Sequence, residues 1–378
     1  FLADKLIDNI ICYFQLPICV ATYLKIYGQA YLIPLAVEES YIIAALSKTA
    51  KWISEQGEIT TSLQGEGIIG QIQLACLKDA SHFAHCFQQH QHAWIQRANT
   101  EIVPSMVQRG GGVLSLSLRL LPRDNGVMGV IHVLMNCCDA MGANVLNQVL
   151  EFLKAPIEAC SGETVTMCIL SNLNDQKLTT ARVTIRNIDP ALGERLQEAS
   201  LFAEIDPYRA ATHNKGIMNG IDAVAIATGN DWRALEAGAH AYAARSGHYQ
   251  ALSQWRYHEG VLQGVLTLPL IVGTVGGVTS LHPTARLSLK MLQISSADQL
   301  SRVMAAVGLV QNLGALRALC TEGIIKGHMK LHIDNLILVV GATETERPLL
   351  KEKLQTLLHQ TQRIGLSQAQ QCLTEMRQ

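Results

Sequence analysis

A lysine, an amide and a carboxylate surround one short apolar run between residues 211 and 232, ATHNKGIMNGIDAVAIATGNDW. His213, Lys215, Asn219 and Asp231 are its polar members. A cation and an acid at the ends of a buried segment are the ingredients of a site that stabilises charge on a reacting oxygen. The stretch Ile221 to Thr228 is apolar, β-branched and short, a pattern that predicts a buried strand with the polar groups in its flanking turns. Taken singly, each residue has a plainer reading. Lys215 beside Gly216 reads as a surface lysine, and Asp231 as the N-cap of an Ala-rich helix, DWRALEAGAHAYAARSG, stopped by Gly247.

Further groups able to do chemistry lie elsewhere in the chain. Glu38 and Glu39 stand between the apolar run YLIPLAV and the helical pattern SYIIAALSKTAKWI, where carboxylates favour a helix start. DAMGAN, Asp139 to Asn144, opens a helix after a strand. It reads either as a plain Asp N-cap or as a helix N-terminus whose amides can hold a pyrophosphate. His82, His85, His90 and His92 crowd one helix, with His82 and Cys86 four apart. Neighbouring glutamines make that a solvated face rather than a metal site. His328 in KGHMKLH, next to Gly327 in the tail, suits an acid that swings in and out, and no HExxH completes it with His332. GEGIIG at 65–70 matches GxGxxG formally. The polar EITTSLQ before it does not read as a buried strand and a strand rather than a helix follows, so it is no dinucleotide fingerprint.

The elements that must position these groups follow from periodicity. Residues 1 to 60 read as amphipathic helix alternating with irregular segments. From about 66 the order is strand, helix, strand, strand, helix, strand, the βαββαβ of a ferredoxin-like unit. Mixed strand and helix return to about 320, with Pro283 in the first turn of a helix after GTVGGVTSLH. The tail carries a strand-like NLILVVGA and two amphipathic helices, one begun by Pro348 with Leu349, Leu350, Leu354, Leu357 and Leu358 on one side. The fold class expected is α+β: a large α-rich domain from 1–65 and 166–320, an inserted ferredoxin-like domain at 66–165, and a C-terminal helical flap at 321–378.

Composition bounds the function. The 378 residues are 48% hydrophobic and 16% charged, with 30 Lys+Arg against 31 Asp+Glu and a formal charge of -1, which points to no nucleic acid and no membrane as the main partner. The ten cysteines contain no CxxC and do not look like a disulfide framework; most read as reduced core thiols of a cytoplasmic protein. The apolar IICYFQLPICVATYL is broken by Gln15 and Pro17 and is shorter than a membrane helix.

AVEES, DAMGAN, HNKGIMNGIDAVAIATGNDWRALEAGAHAYA, GTVGGVTSLHPTA and KGHMKLH, in that order, resemble the landmarks of the 3-hydroxy-3-methylglutaryl-coenzyme A (HMG-CoA) reductase family, nearest the class II bacterial enzymes. The resemblance spans nearly the whole chain. It implies catalytic Glu39, Lys215, Asp231 and His328, with substrate contacts at Arg209, Asn219 and Tyr41. Cofactor contacts fall on Asp139, Met141, Gly142, Asn144 and Asn172. Ser40 and Tyr41 stand where relatives usually have Pro and Ser, and Cys12 where they usually have Gly.

That family reduces the thioester HMG-CoA to mevalonate and free coenzyme A by two hydride transfers, or runs the reverse. The resemblance thus implies NADPH or NADH as cofactor, no metal, and a homodimer or higher homo-oligomer with shared active sites. Val103 leaves no acid where NADH-using relatives carry one, and Arg109 can meet a 2′-phosphate, which favours NADPH. The rival reading is an acyl-coenzyme A binding homologue that has lost turnover, prompted by Tyr41 and Cys12. A metal-dependent hydrolase built on the His-rich helix is a weaker third.

Overall fold

The computed structural model describes residues 8–321, 323, 333–361 and 364–377. Its first feature corrects the expectation of helix and irregular chain before residue 60. Strands β1 (Ile18–Ile26) and β2 (Gln29–Ala36) form an antiparallel hairpin. Tyr27 at φ 50° and Gly28 at φ 81° make its two-residue turn, the left-handed pair that matches strand twist. Helix α1 (Ser40–Gln56) follows. Next comes β3 (Gly57–Gln64), so the polar EITTSLQ is a strand after all, with Ile59 and Thr61 buried and the alternate positions wetter. A strand and not a helix still follows the GEGIIG segment.

That strand, β4 (Ile68–Leu74), opens the βαββαβ unit. It continues through α2 (Ala80–Arg97), a π turn at Ala98–Ile102, the short α3 (Pro104–Val107), β5 (Gly112–Arg123), β6 (Gly126–Asn136), α4 (Ala143–Ser161) and β7 (Met167–Leu170). The sheet order β5-β6-β4-β7, antiparallel throughout, is the ferredoxin-like arrangement the periodicity predicts. Its core is separate, with Phe83, Ile131, Met135, Leu146 and Leu150 at the centre.

The remaining sheet has the order β3-β8-β10-β9, built from β8 (Leu178–Ile185), β9 (Ser253–His258) and β10 (Val261–Leu268). Packed with it are α5 (Pro190–Ile205), α6 (Pro207–Ala227), α7 (Trp232–Ala243), the short α8 (Gly277–Leu281), α9 (Pro283–Leu292) and α10 (Ala297–Cys320). α10 is long and apolar enough to cross a membrane, but most of it is buried in this core. A third core joins Ile333, Ile337, Leu350, Leu354 and Leu373 in the tail. There NLILVVGA is helical through residue 339 rather than a strand, and Leu349 lies 53% exposed, off the face shared by Leu350 and Leu354.

The predicted strand at Ile221 to Thr228 is the second half of α6. Asp206 caps that helix through Arg209 N (2.9 Å) and Pro207 occupies its first turn, so the helix starts well before the apolar run. The run is apolar on most sides because α6 lies inside the core, the case in which periodicity cannot separate strand from helix. Gly220 and Gly308 allow α6 and α10 to cross closely. A methyl group at Gly308 would sit 2.8 Å from the Ile221 side chain, and one at Gly220 3.0 Å from Val307.

One disulfide is an exception to the reduced thiols expected for most cysteines: Cys86 of α2 is bonded to Cys160 of α4, and the other eight are free. The two helices pack side by side on one face of the small sheet, which brings residues far apart in sequence into contact. His90, not His82, lies beside this pair, its Nδ1 3.2 Å from Cys160 Sγ. With the two sulfurs bonded to each other, neither is a thiolate ligand for a metal.

Candidate active site

On α6 Lys215 is exposed and Asn219 half-buried, while His213, Asn214, Ile217, Met218 and Ile221 face inward. The i, i+4 spacing of Lys215 and Asn219 places both on one face. Glu39 approaches from another element. It occupies the N-cap position of α1, yet its side chain caps no backbone amide. Its Oε2 lies 3.6 Å from Lys215 Nζ, with the carboxylate 34% and the lysine 64% exposed. The acid at the end of the β1–β2 hairpin and the lysine in the middle of α6 therefore form one charged pair.

Asp231 holds the expected N-cap of α7, accepting from Arg233 N (3.1 Å) and Ala234 N (3.2 Å). That helix ends at Ala243, four residues short of Gly247, which takes φ 91° in the turn beyond. Among the described residues Asp231 pairs with Arg233, not with Lys215, whose ion-pair partner is Glu39. Arg209 is half-buried, its guanidinium makes no hydrogen bond or ion pair among the described residues, and burial holds its pKa below the usual arginine value. Tyr41 is half-buried in the first turn of α1. His328 lies outside the described residues, as does His332.

His213 belongs to the core rather than the reactive face. Its Nε2 lies 2.7 Å from Ser253 Oγ and 3.2 Å from Asn312 Nδ2, and Asn312 Oδ1 accepts from Trp255 Nε1 (2.8 Å). Burial, reinforced by the Arg209 charge, pushes its pKa down to about 3, so the imidazole is neutral. Asp222 shows the opposite effect. Burial together with the neighbouring Glu236 carboxyl raises its pKa well above the usual carboxylate range. Glu236 of α7 in turn lies 3.2 Å from His240 Nε2. Gln311 is a residue the sequence did not flag. It is buried on α10 beside Gly220, and its Oε1 has no hydrogen-bond partner among the described residues.

DAMGAN departs from the plain N-cap. The N-cap of α4 is Gly142 at φ 95°, with no side-chain hydrogen bond to the first-turn amides. Asp139 instead accepts from Ala297 N (2.8 Å), at the start of α10. The first turn of α4 is thus open to an anion, the geometry a pyrophosphate needs. The loop at 273–277 ties this turn to the start of α7. Thr274 N donates to Asp139 O (2.9 Å), and Gly273 N donates to Asn230 Oδ1 (2.7 Å) immediately before Asp231. Met141 and Asn172 line one cleft with Ala234 and Leu235 of α7. Asn144 and Asn172 are exposed, and Arg109, also exposed, sits in a loop whose carbonyl accepts from Cys138 Sγ (3.7 Å) beside Asp139. Val103 is 2% exposed in the small core.

A family model for hydroxymethylglutaryl-coenzyme A reductase matches residues 2–333. The chain belongs to this family. It is 44% identical over 349 residues to 3-hydroxy-3-methylglutaryl-coenzyme A reductase of Archaeoglobus fulgidus, covering 91% of this chain and 79% of that one. The probable reductase of Borreliella burgdorferi is 36% identical over 359 residues, covering 93% and 81%. A class II HMG-CoA reductase of Streptococcus pneumoniae, solved bound to NADPH in open conformations, superposes with a TM-score of 0.82 at 38% identity, covering 100% of this chain and 92% of that one. As in these reductases, the chain mixes helices with small sheets.

Proposed function

We propose that this chain reduces the thioester of HMG-CoA to mevalonate and coenzyme A, or runs the reverse, with a nicotinamide cofactor. The observation that carries the assignment is the Lys215–Glu39 pair at 3.6 Å in a chain of this family. Bound cofactor supplies hydride. Lys215 stabilises the negative oxygen that develops on the substrate carbonyl, a role suited to a cation held beside a carboxylate. Glu39 gives a proton to the aldehyde oxygen in the second reduction, and Asp231 at the start of α7 supports the charge balance of the pair. His328 protonates the departing thiolate, and the tail containing it acts as a flap that excludes water. Arg209, Asn219 and Tyr41 hold the acyl substrate. No step calls on a metal.

Asp139, Met141, Gly142, Asn144 and Asn172 are the proposed cofactor contacts. The open first turn of α4 and its link to Asn230 support that placement. NADPH is the preferred form, supported by exposed Arg109 near the same turn and by the absence of an acid at Val103. The working division is a large domain at 1–65 and 166–320, a cofactor domain at 66–165 completed by β7, and a flap at 321–378. A cytoplasmic homodimer or higher homo-oligomer with active sites shared between subunits completes the proposal.

The deciding assay follows nicotinamide absorbance with HMG-CoA and each cofactor, then in reverse with mevalonate and coenzyme A. Thioester-dependent oxidation of the cofactor is expected, faster with NADPH. Tight thioester binding with no oxidation of either cofactor would instead establish the non-catalytic acyl-coenzyme A binding reading.

A further inference from the structure

A second cavity, of about 390 Å³, opens between the β1–β2 turn, β3 and the first turns of α10. It shares no lining residue with the Lys215–Glu39 pair or with the cleft at Met141 and Asn172. Its volume is within the range of small-ligand sites.

The polar groups in its wall are incompletely used. Arg302, in the second turn of α10, makes no hydrogen bond or ion pair among the described residues, and its Nε is buried without a partner. Thr61, also in the wall, has its Oγ1 buried with no hydrogen-bond partner among the described residues. A buried donor of a charged group left unsatisfied destabilises a fold, and such groups are normally paired. The acid among the described lining residues, Asp298, is held by Lys177 Nζ at 2.9 Å, so it does not answer Arg302. The surplus charge in the wall is positive, and it lies close to the positive end of the 24-residue helix α10.

The aromatic parts of the wall are fixed in place. Tyr27 OH donates to Thr61 O (2.5 Å), and Tyr31 OH accepts from Gln299 Nε2 (3.3 Å). Two tied phenol rings beside an unanswered guanidinium form a preorganised seat for a small anion with a flat or apolar body.

The geometry points to a binding site for a small organic anion, its carboxylate or phosphate oxygens meeting the Arg302 guanidinium and its body lying against Tyr27 and Tyr31. β2 runs from this wall to the segment that carries Glu39, so an occupant braces the hairpin behind the catalytic acid.

Benzoate and inorganic phosphate are the probes, titrated by calorimetry against the full-length protein, with hydrogen exchange of the β1–β2 turn followed in parallel. Benzoate alone binding identifies a carboxylate site with an aromatic body, and phosphate alone a phosphate site. Either is the expected result if Arg302→Gln weakens it by about ten- to hundredfold, as loss of a charged hydrogen bond predicts. Thr61→Val, which keeps the side-chain shape, should weaken it less, and Lys215→Ala should leave it unchanged. Bound probe should slow exchange at the turn in the parent but not in Arg302→Gln. Because Arg302 has no partner among the described residues, Arg302→Gln should melt no lower than the parent without ligand. The proposal is overturned if neither probe binds, if Arg302→Gln binds as the parent does, or if Lys215→Ala removes the binding.

Discussion

Lys215 Nζ stands 3.6 Å from Glu39 Oε2, joining the middle of α6 to the N-cap position of α1. The carboxylate occupies a capping position without capping, so its charge is available to the lysine and to substrate. Lys215→Ala should lower kcat for thioester reduction by about 10²–10³ or more, the scale of losing one preorganised charge-stabilising group. Near-normal turnover would remove Lys215 from the mechanism.

Glu39→Gln keeps the shape of the side chain and removes its proton. If Glu39 serves the second reduction, the variant should lose about 10²–10⁴ in rate with the aldehyde as substrate. Coenzyme A release in a single turnover should suffer less. Equal losses in both steps would mean that Glu39 acts mainly by holding Lys215.

Asp231 has a structural duty that can be separated from a chemical one. Asp231→Ala removes the α7 cap and should cost about 1 kcal/mol in urea unfolding, whereas Asp231→Asn keeps an acceptor for Arg233 N and Ala234 N. An Asn variant with parental stability and poor turnover is the expected result. Full activity in Asp231→Asn would reduce the residue to its cap.

His213 should make the fold acid-sensitive. Its pKa is about 3 in the native chain against about 6.5 when unfolded, so below pH 6.5 the unfolded state takes up a proton that the native state refuses. Stability from this group is full above that pH. It falls by about 1.4 kcal/mol per pH unit as pH drops toward 3. Urea midpoints of the parent and His213→Gln at pH 7, 6 and 5 should converge on acidification; parallel curves would refute a neutral buried imidazole.

Asp222 works in the other direction. Its raised pKa means that it stays protonated in the fold while the unfolded chain ionises, so its contribution is present at low pH and declines as pH rises above the ordinary carboxylate value. Asp222→Asn should therefore stabilise the protein at pH 8 relative to pH 5. A variant equally destabilised at both would show that the carboxyl is needed as an anion.

Much of this protein was legible in its residues. Five ordered motifs carried the family, and the alternating period of β4 to β7 carried the ferredoxin-like unit, because both are local patterns that neighbours in sequence define. The apolar run at 221–228 defeated the same logic: a helix buried on most sides shows no period, and this one starts well upstream at Asp206 and packs closely on α10 at Gly220 and Gly308. The residues also gave no sign that Asp139 would cap α10 rather than its own helix, or that Cys86 would meet Cys160. Nor did they give the arrangement of charges. Sequence named Glu39, Lys215 and Asp231 as one set, and the fold pairs the lysine with Glu39 and gives Asp231 to the amides of α7. Residue type and spacing determine which groups a chain has to offer. Which of them meet depends on how separate helices and strands pack, and no local pattern encodes that.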